Sequence, residues 1–119
     1  MNHQTDSELL ELAAKAAGYD YMPQNRVIVE DGIPANWSPL TDDGDALRLA
    51  VKLGLSVVPY PIYQPEKHSV VVKQRRQSDT MREANPTQVM ELYGGDPYAA
   101  TRRAITRAAA EVAKAVGES

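Results

Sequence analysis

A chain of 119 residues with 43% hydrophobic content is long enough for one domain, residues 1–119, that hides roughly two thirds of its unfolded surface in a core. It has no cysteine, which excludes disulfides, thiolate metal sites and cysteine nucleophiles and fits a reducing compartment. The formal net charge of −3 is unevenly spread, with nine acids against two bases in residues 1–45 and eleven bases against seven acids in residues 46–119. A solvated surface of mixed charge is the ordinary explanation, and a polar partner or self-association the alternative. No apolar run approaches the roughly 20 residues that span a bilayer. The opening stretch Met1–Glu8 is polar and lacks the basic-then-apolar pattern of a signal peptide.

Taken in chain order, the first element is a helix over residues 6–17. Thr5 followed by Glu8 matches a capping box, Leu9, Leu12, Ala13 and Ala16 form the apolar stripe, and Gly18 sits where a left-handed cap ends the helix. Tyr19 and Tyr21 lead into irregular chain around Pro23. Arg26–Glu30 reads as a strand, and Asp31-Gly32 is a strong hairpin-turn signal. The returning segment Ile33–Trp37 carries Pro34, which has no N–H and suits an edge.

The second helix runs from Asp43 to Leu53, with Thr41 or Asp42 as N-cap and the acids of the first turn opposing the helix dipole. Leu47, Ala50 and Val51 face one way, with Ala46, Leu49 and Leu53 beside them. This broad apolar face suggests a helix pressed onto a sheet. Gly54 ends it. Leu55–Tyr63 reads as an edge strand because Pro59 and Pro61, two apart, remove both donors from one side. After a loop at Gln64–Lys67, His68–Arg76 returns, with Val70 and Val72 on one face and Val71 and Lys73 on the other. Within residues 77–95, Asn85-Pro86-Thr87-Gln88 resembles an N-cap with proline at the first helical position, and Gly94 ends a short turn of helix. Asp96-Pro97 opens the last helix by the same device. That helix reaches about Val116, with Tyr98, Ile105, Ala109, Val112 and Val116 buried, Arg103, Arg107, Glu111 and Lys114 wet, and Arg107–Glu111 as an i,i+4 pair. The order helix, hairpin, helix, hairpin, helix predicts an α+β fold: a small mixed or antiparallel sheet with three main helices packed on it.

The stretches Trp37-Ser38-Pro39-Leu40-Thr41-Asp42-Asp43-Gly44-Asp45-Ala46-Leu47-Arg48-Leu49-Ala50-Val51-Lys52-Leu53 and Asp96-Pro97-Tyr98-Ala99-Ala100-Thr101-Arg102-Arg103-Ala104-Ile105 resemble two hallmark segments of a family of small phage and prophage proteins, the phage ABA sandwich domain proteins. The first helix is similar to the family's opening helix, and the three cover about half of the chain. The resemblance implies an alpha-beta-alpha sandwich and a bacterial cytoplasmic setting during phage or prophage expression. It implies no activity. The stretch from Arg75-Arg76 to Gly95 is longer than the family's usual second-hairpin ending.

Catalytic and metal signals are thin. Asp42, Asp43 and Asp45 do not have the spacing of a calcium loop and are explained by capping. His3 and His68 are far apart, and no serine lies in a nucleophile elbow. Gly94-Gly95 allows an anion to approach the last helix, but Asp96 opposes it. No catalytic residue, metal site or cofactor is therefore expected. Trp37, beside Pro39, reads as a core plug more readily than as a binding aromatic. Lys67, Lys73, Arg75, Arg76 and Arg82, with Arg102, Arg103 and Arg107, form either a basic patch or a solvated face. Of these, Arg75, Arg76, Arg102, Arg103 and Arg107 are the candidate binding residues. Tyr60, Tyr63 and the proline-bearing edge strand are the alternative surface. The expected role is binding of a host or phage protein, or of a small polar ligand, by a non-enzymatic protein with no membrane segment. Weak nucleic-acid binding is the runner-up, since the overall acidity reduces the electrostatic term that duplex binding needs. The oligomeric state has no signal.

Overall fold

The computed structural model describes residues 5–60, 68–74 and 88–117. Helix α1 (Asp6–Ala17) begins with both halves of the capping box formed: the Glu8 N–H donates to Thr5 Oγ1 at 3.1 Å and the Thr5 N–H to Glu8 Oε1 at 3.0 Å. Gly18, at φ 80°, closes it in the left-handed region. The buried side is Leu9, Leu10, Ala13, Ala14 and Ala17, turned from the expected stripe so that Leu12 and Ala16 are only half-buried. The cause is the neighbour: α1 lies along α3 (Pro97–Gly117), and alanines on both helices allow close approach.

Strands β1 (Asp20–Met22), β2 (Val27–Glu30) and β3 (Ile33–Asn36) form an antiparallel sheet in that order. Asp31 and Gly32 both have positive φ, 56° and 77°, as a two-residue hairpin turn that follows the strand twist requires. Pro34 lies on β3, at the sheet edge. The chain turns around Pro23 as expected, but the residues before it form β1, a strand not predicted from the sequence, with Tyr21 opposite Ile28. Three residues are too few to show an alternation, so only the pairing reveals this strand.

Helix α2 (Asp43–Leu53) is capped by Asp42, whose side chain accepts from the Asp45 N–H at 2.9 Å, and is ended by Gly54 at φ 66°. Ala46, Leu49 and Ala50 are buried, whereas Leu47 is 63% and Val51 72% exposed. The broad apolar face is thus only half covered, a correction to the expectation of a helix pressed fully onto a sheet.

The second sheet is β4 (Leu55–Pro59), β5 (Ser69–Gln74) and β6 (Gln88–Leu92), again antiparallel in chain order. β4 is an edge of its sheet, as expected for a strand carrying Pro59; Pro61 lies outside the described residues. Val70 and Val72 are buried, while Val71 and Lys73 face the other way. Gln88 belongs to a strand rather than to a helix start, because Val89 is needed opposite Val72. Asn85–Thr87, the loop at Gln64–Lys67 and the strand's expected end at Tyr63 lie outside the described residues. Helix α3 is capped by Asp96, whose Oδ1 accepts from the N–H groups of Tyr98 and Ala99. Its buried residues are mostly alanines, with Ile105 and Thr106; the Thr106 hydroxyl is satisfied by donating to the Arg102 carbonyl at 2.8 Å. Tyr98, expected to be buried, is 70% exposed.

The described residues are therefore α+β, with three helices and two antiparallel three-stranded sheets in place of one small sheet. Residues from all three helices and from both sheets join one core around Leu10, Trp37, Leu49, Val70, Val72 and Ile105.

Candidate binding groove

The acids that open α2 are held by structural partners. Asp45 Oδ2 accepts from the Ser38 N–H at 2.9 Å and Oδ1 from Arg48 at 2.7 Å, which raises the Arg48 pKa above its ordinary value through that hydrogen bond. Asp43 pairs with Arg102 at 2.7 Å. Among the described residues no group of three or more His, Cys, Asp or Glu is placed to hold a metal.

The nominated arginines divide. Arg75 and Arg76 lie outside the described residues. Arg102 donates through Nε to the Leu40 carbonyl at 3.0 Å and through Nη1 to Asp43. Arg103 pairs with Asp6 at 2.9 Å, tying α3 to α1. Arg107 pairs with Glu91, not with Glu111, and also donates to the Met90 carbonyl; Glu111 instead accepts from Lys114. Each guanidinium is a tie from α3 to a different neighbour. Arg103 and Arg107 are one turn apart, while Arg102 sits about 100° around the helix from Arg103.

What the structure does bring together is an open groove of about 870 Å³ between α2, β4 and the first turns of α3. Asp43, Ala46, Leu47 and Ala50 line it from α2, and Pro97, Tyr98, Thr101, Arg102 and Ile105 from α3. Val57, Pro59, Tyr60 and Tyr93 complete it. The Tyr93 hydroxyl donates to the Tyr60 carbonyl, fixing the strand end that forms one wall. Tyr98 lies on the same side of α3 as Ile105, and it is exposed because the groove opens in front of it. The walls are mainly aliphatic and aromatic, with Arg102 the only cation and Asp43 the only anion among the described lining residues.

The residues missed from sequence are Leu47, Tyr98 and the floor alanines. A signal was present: six apolar residues within eight positions of α2 exceed the width of one buried face. Tyr60, named as part of the alternative surface, does line the groove.

The Trp37 side chain is part of the core rather than of the groove. Trp37 is 3% exposed, with Tyr19 and Tyr21 edge-on to it at ring-centroid distances of 5.7 and 5.5 Å. Burial pushes both phenol pKa values up, and Glu30 adds to this at Tyr19. The two tyrosines also line a second hollow, together with Glu8, Glu11, Leu12 and Lys15.

No helix among the described residues is long and apolar enough to cross a membrane. Comparison with protein-family models, with curated proteins and with solved structures found no match to the chain.

Proposed function

We propose that the chain is a phage or prophage accessory protein of the ABA sandwich type, acting in the bacterial cytoplasm by binding a small ligand in the groove between α2, β4 and α3 rather than by catalysis. The observation that carries this reading is the origin of the groove's walls. Nine of its thirteen described lining residues come from the two segments, 37–53 and 96–105, on which the family resemblance rests. A volume of about 870 Å³ falls in the range of small-molecule sites, roughly 300–1,000 Å³. The apolar walls favour a ligand with an apolar body over a purely polar one.

A fragment screen read by amide chemical shifts tests this. Hits are expected to move residues 43–50, 57–60 and 97–105 together. Hits confined to other faces would remove the groove from the function. A binding partner that proves to be a protein segment lying across Leu47 and Tyr98 would keep the site but replace its occupant.

A further inference from the structure

We infer that the groove takes a small apolar acid, an aromatic or short aliphatic body ending in a carboxylate that replaces Asp43 on Arg102. This rests on the binding reading above and names the ligand class for the same site.

The two charges in the groove are not equivalent. The Arg102 side chain is 18% exposed and that of Asp43 76%. The guanidinium is held from behind by Nε donating to the Leu40 carbonyl, so it stays in place whether or not Asp43 is paired to it. Its Nη1 meets Asp43, and Nη2 has no partner among the described residues. Asp43 is free to leave in a way that Arg102 is not. It is the first residue of α2, the N-cap function belongs to Asp42, and its carboxylate is already largely in water. An exposed ion pair is weak because water competes with it on one side.

A carboxylate arriving on an apolar body meets different terms. The body covers Ala46, Ala50 and Ile105, shuts water out from the guanidinium, and so strengthens the charge-assisted bond that replaces the Asp43 pair. The planar guanidinium can hold a carboxylate with two parallel N–H donors. A cation gains Asp43 but is pressed against Arg102. A neutral molecule leaves the Arg102–Asp43 pair intact and gains only burial.

The test uses the full chain and three probes of one shape, 2-naphthoate, 2-naphthol and 2-naphthylmethylammonium, titrated by calorimetry at neutral pH and low salt. Amide shifts at Leu47 and Tyr98 place each probe. Naphthoate is expected to bind at least about tenfold tighter than naphthol, the effect of one charge-assisted pair, and the ammonium most weakly. Asp43→Asn removes the competing carboxylate and is expected to tighten naphthoate severalfold while leaving naphthol unchanged. Arg102→Lys is expected to reduce the preference for the acid. Equal binding of naphthoate and naphthol in the groove, tightest binding of the ammonium, or an Asp43→Asn variant that does not tighten the acid would each overturn the inference while leaving the groove reading standing. No binding by any of the three, with no shift at Leu47 or Tyr98, would overturn both. The Asp43→Asn comparison needs no change at Arg102, so it decides the matter even if Arg102→Lys fails to fold.

Discussion

Helix α3 meets a helix on each of two sides, and the two contacts differ in kind. Against α1 it forms a closed seam: Ala13, Ala14 and Ala17 of α1 are buried, and so is Ala110 of α3, which lies two turns along the same side of the helix as the Arg103 that pairs with Asp6 of α1. Beside α2 it leaves a groove, although Ala46 and Ala50 are buried there too. Small residues therefore do not decide the outcome alone. Where small side chains on both helices face each other, the backbones close up. Where one wall is a strand end carrying Pro59 and Tyr60, and the helices carry Leu47 and Tyr98 outward, the alanines become the floor of an opening.

The largest expected effect is at Trp37, away from the groove. Trp37→Ala should cost about 3–5 kcal/mol, the penalty for deleting a large buried aromatic, because Tyr19 and Tyr21 lose the ring they pack against. Chemical denaturation measures it. A cost below about 1 kcal/mol would mean that Trp37 is not part of the core.

A matched pair sharpens the comparison directly. Ala110 in the seam is fully buried and Ala50 in the groove floor is 4% exposed, so accessibility barely separates them. Ala110→Leu should nonetheless cost about 1–3 kcal/mol, since added methyl groups have nowhere to go in a close-packed seam. Ala50→Leu can extend into the groove and should change stability much less while reducing ligand binding. Equal destabilisation by both would say that the groove floor is as tightly packed as the seam.

A smaller effect is expected at the helix start. Asp42→Ala removes the acceptor for the Asp45 N–H and should cost about 1 kcal/mol, seen as a lower melting temperature. Asp43→Ala leaves that cap intact and should cost less. The reverse order would move the cap to Asp43.

The features legible in the sequence are those decided within a few residues. The Thr5–Glu8 box, the glycines ending α1 and α2, the Asp31-Gly32 turn and the Asp96-Pro97 helix start all depend on local backbone chemistry. The edge position of β4 follows from where prolines remove donors. β1 and β6 were hidden because neither shows a clean alternation: Tyr21 and Val89 are fixed by their partners Ile28 and Val72. The arginine ties were hidden for a related reason. Arg107 has an acid four residues away on its own helix, yet it pairs with Glu91 on β6, and Arg102 reaches back 59 positions to Asp43. The groove is a gap between elements, so no single segment encodes it. Only the excess of apolar residues on α2 pointed to it.

The central claim is that the face of α2 bearing Leu47 is open for binding. Leu47→Asp tests it most directly, with stability and ligand titration measured on the same sample. At 63% exposure, Leu47 should behave as a surface position, so the substitution should change stability by no more than about 0.5 kcal/mol and abolish binding of groove ligands. A loss of stability of several kcal/mol would show that Leu47 is covered in the folded protein, and binding that survives a neutral change in stability would place the ligand elsewhere.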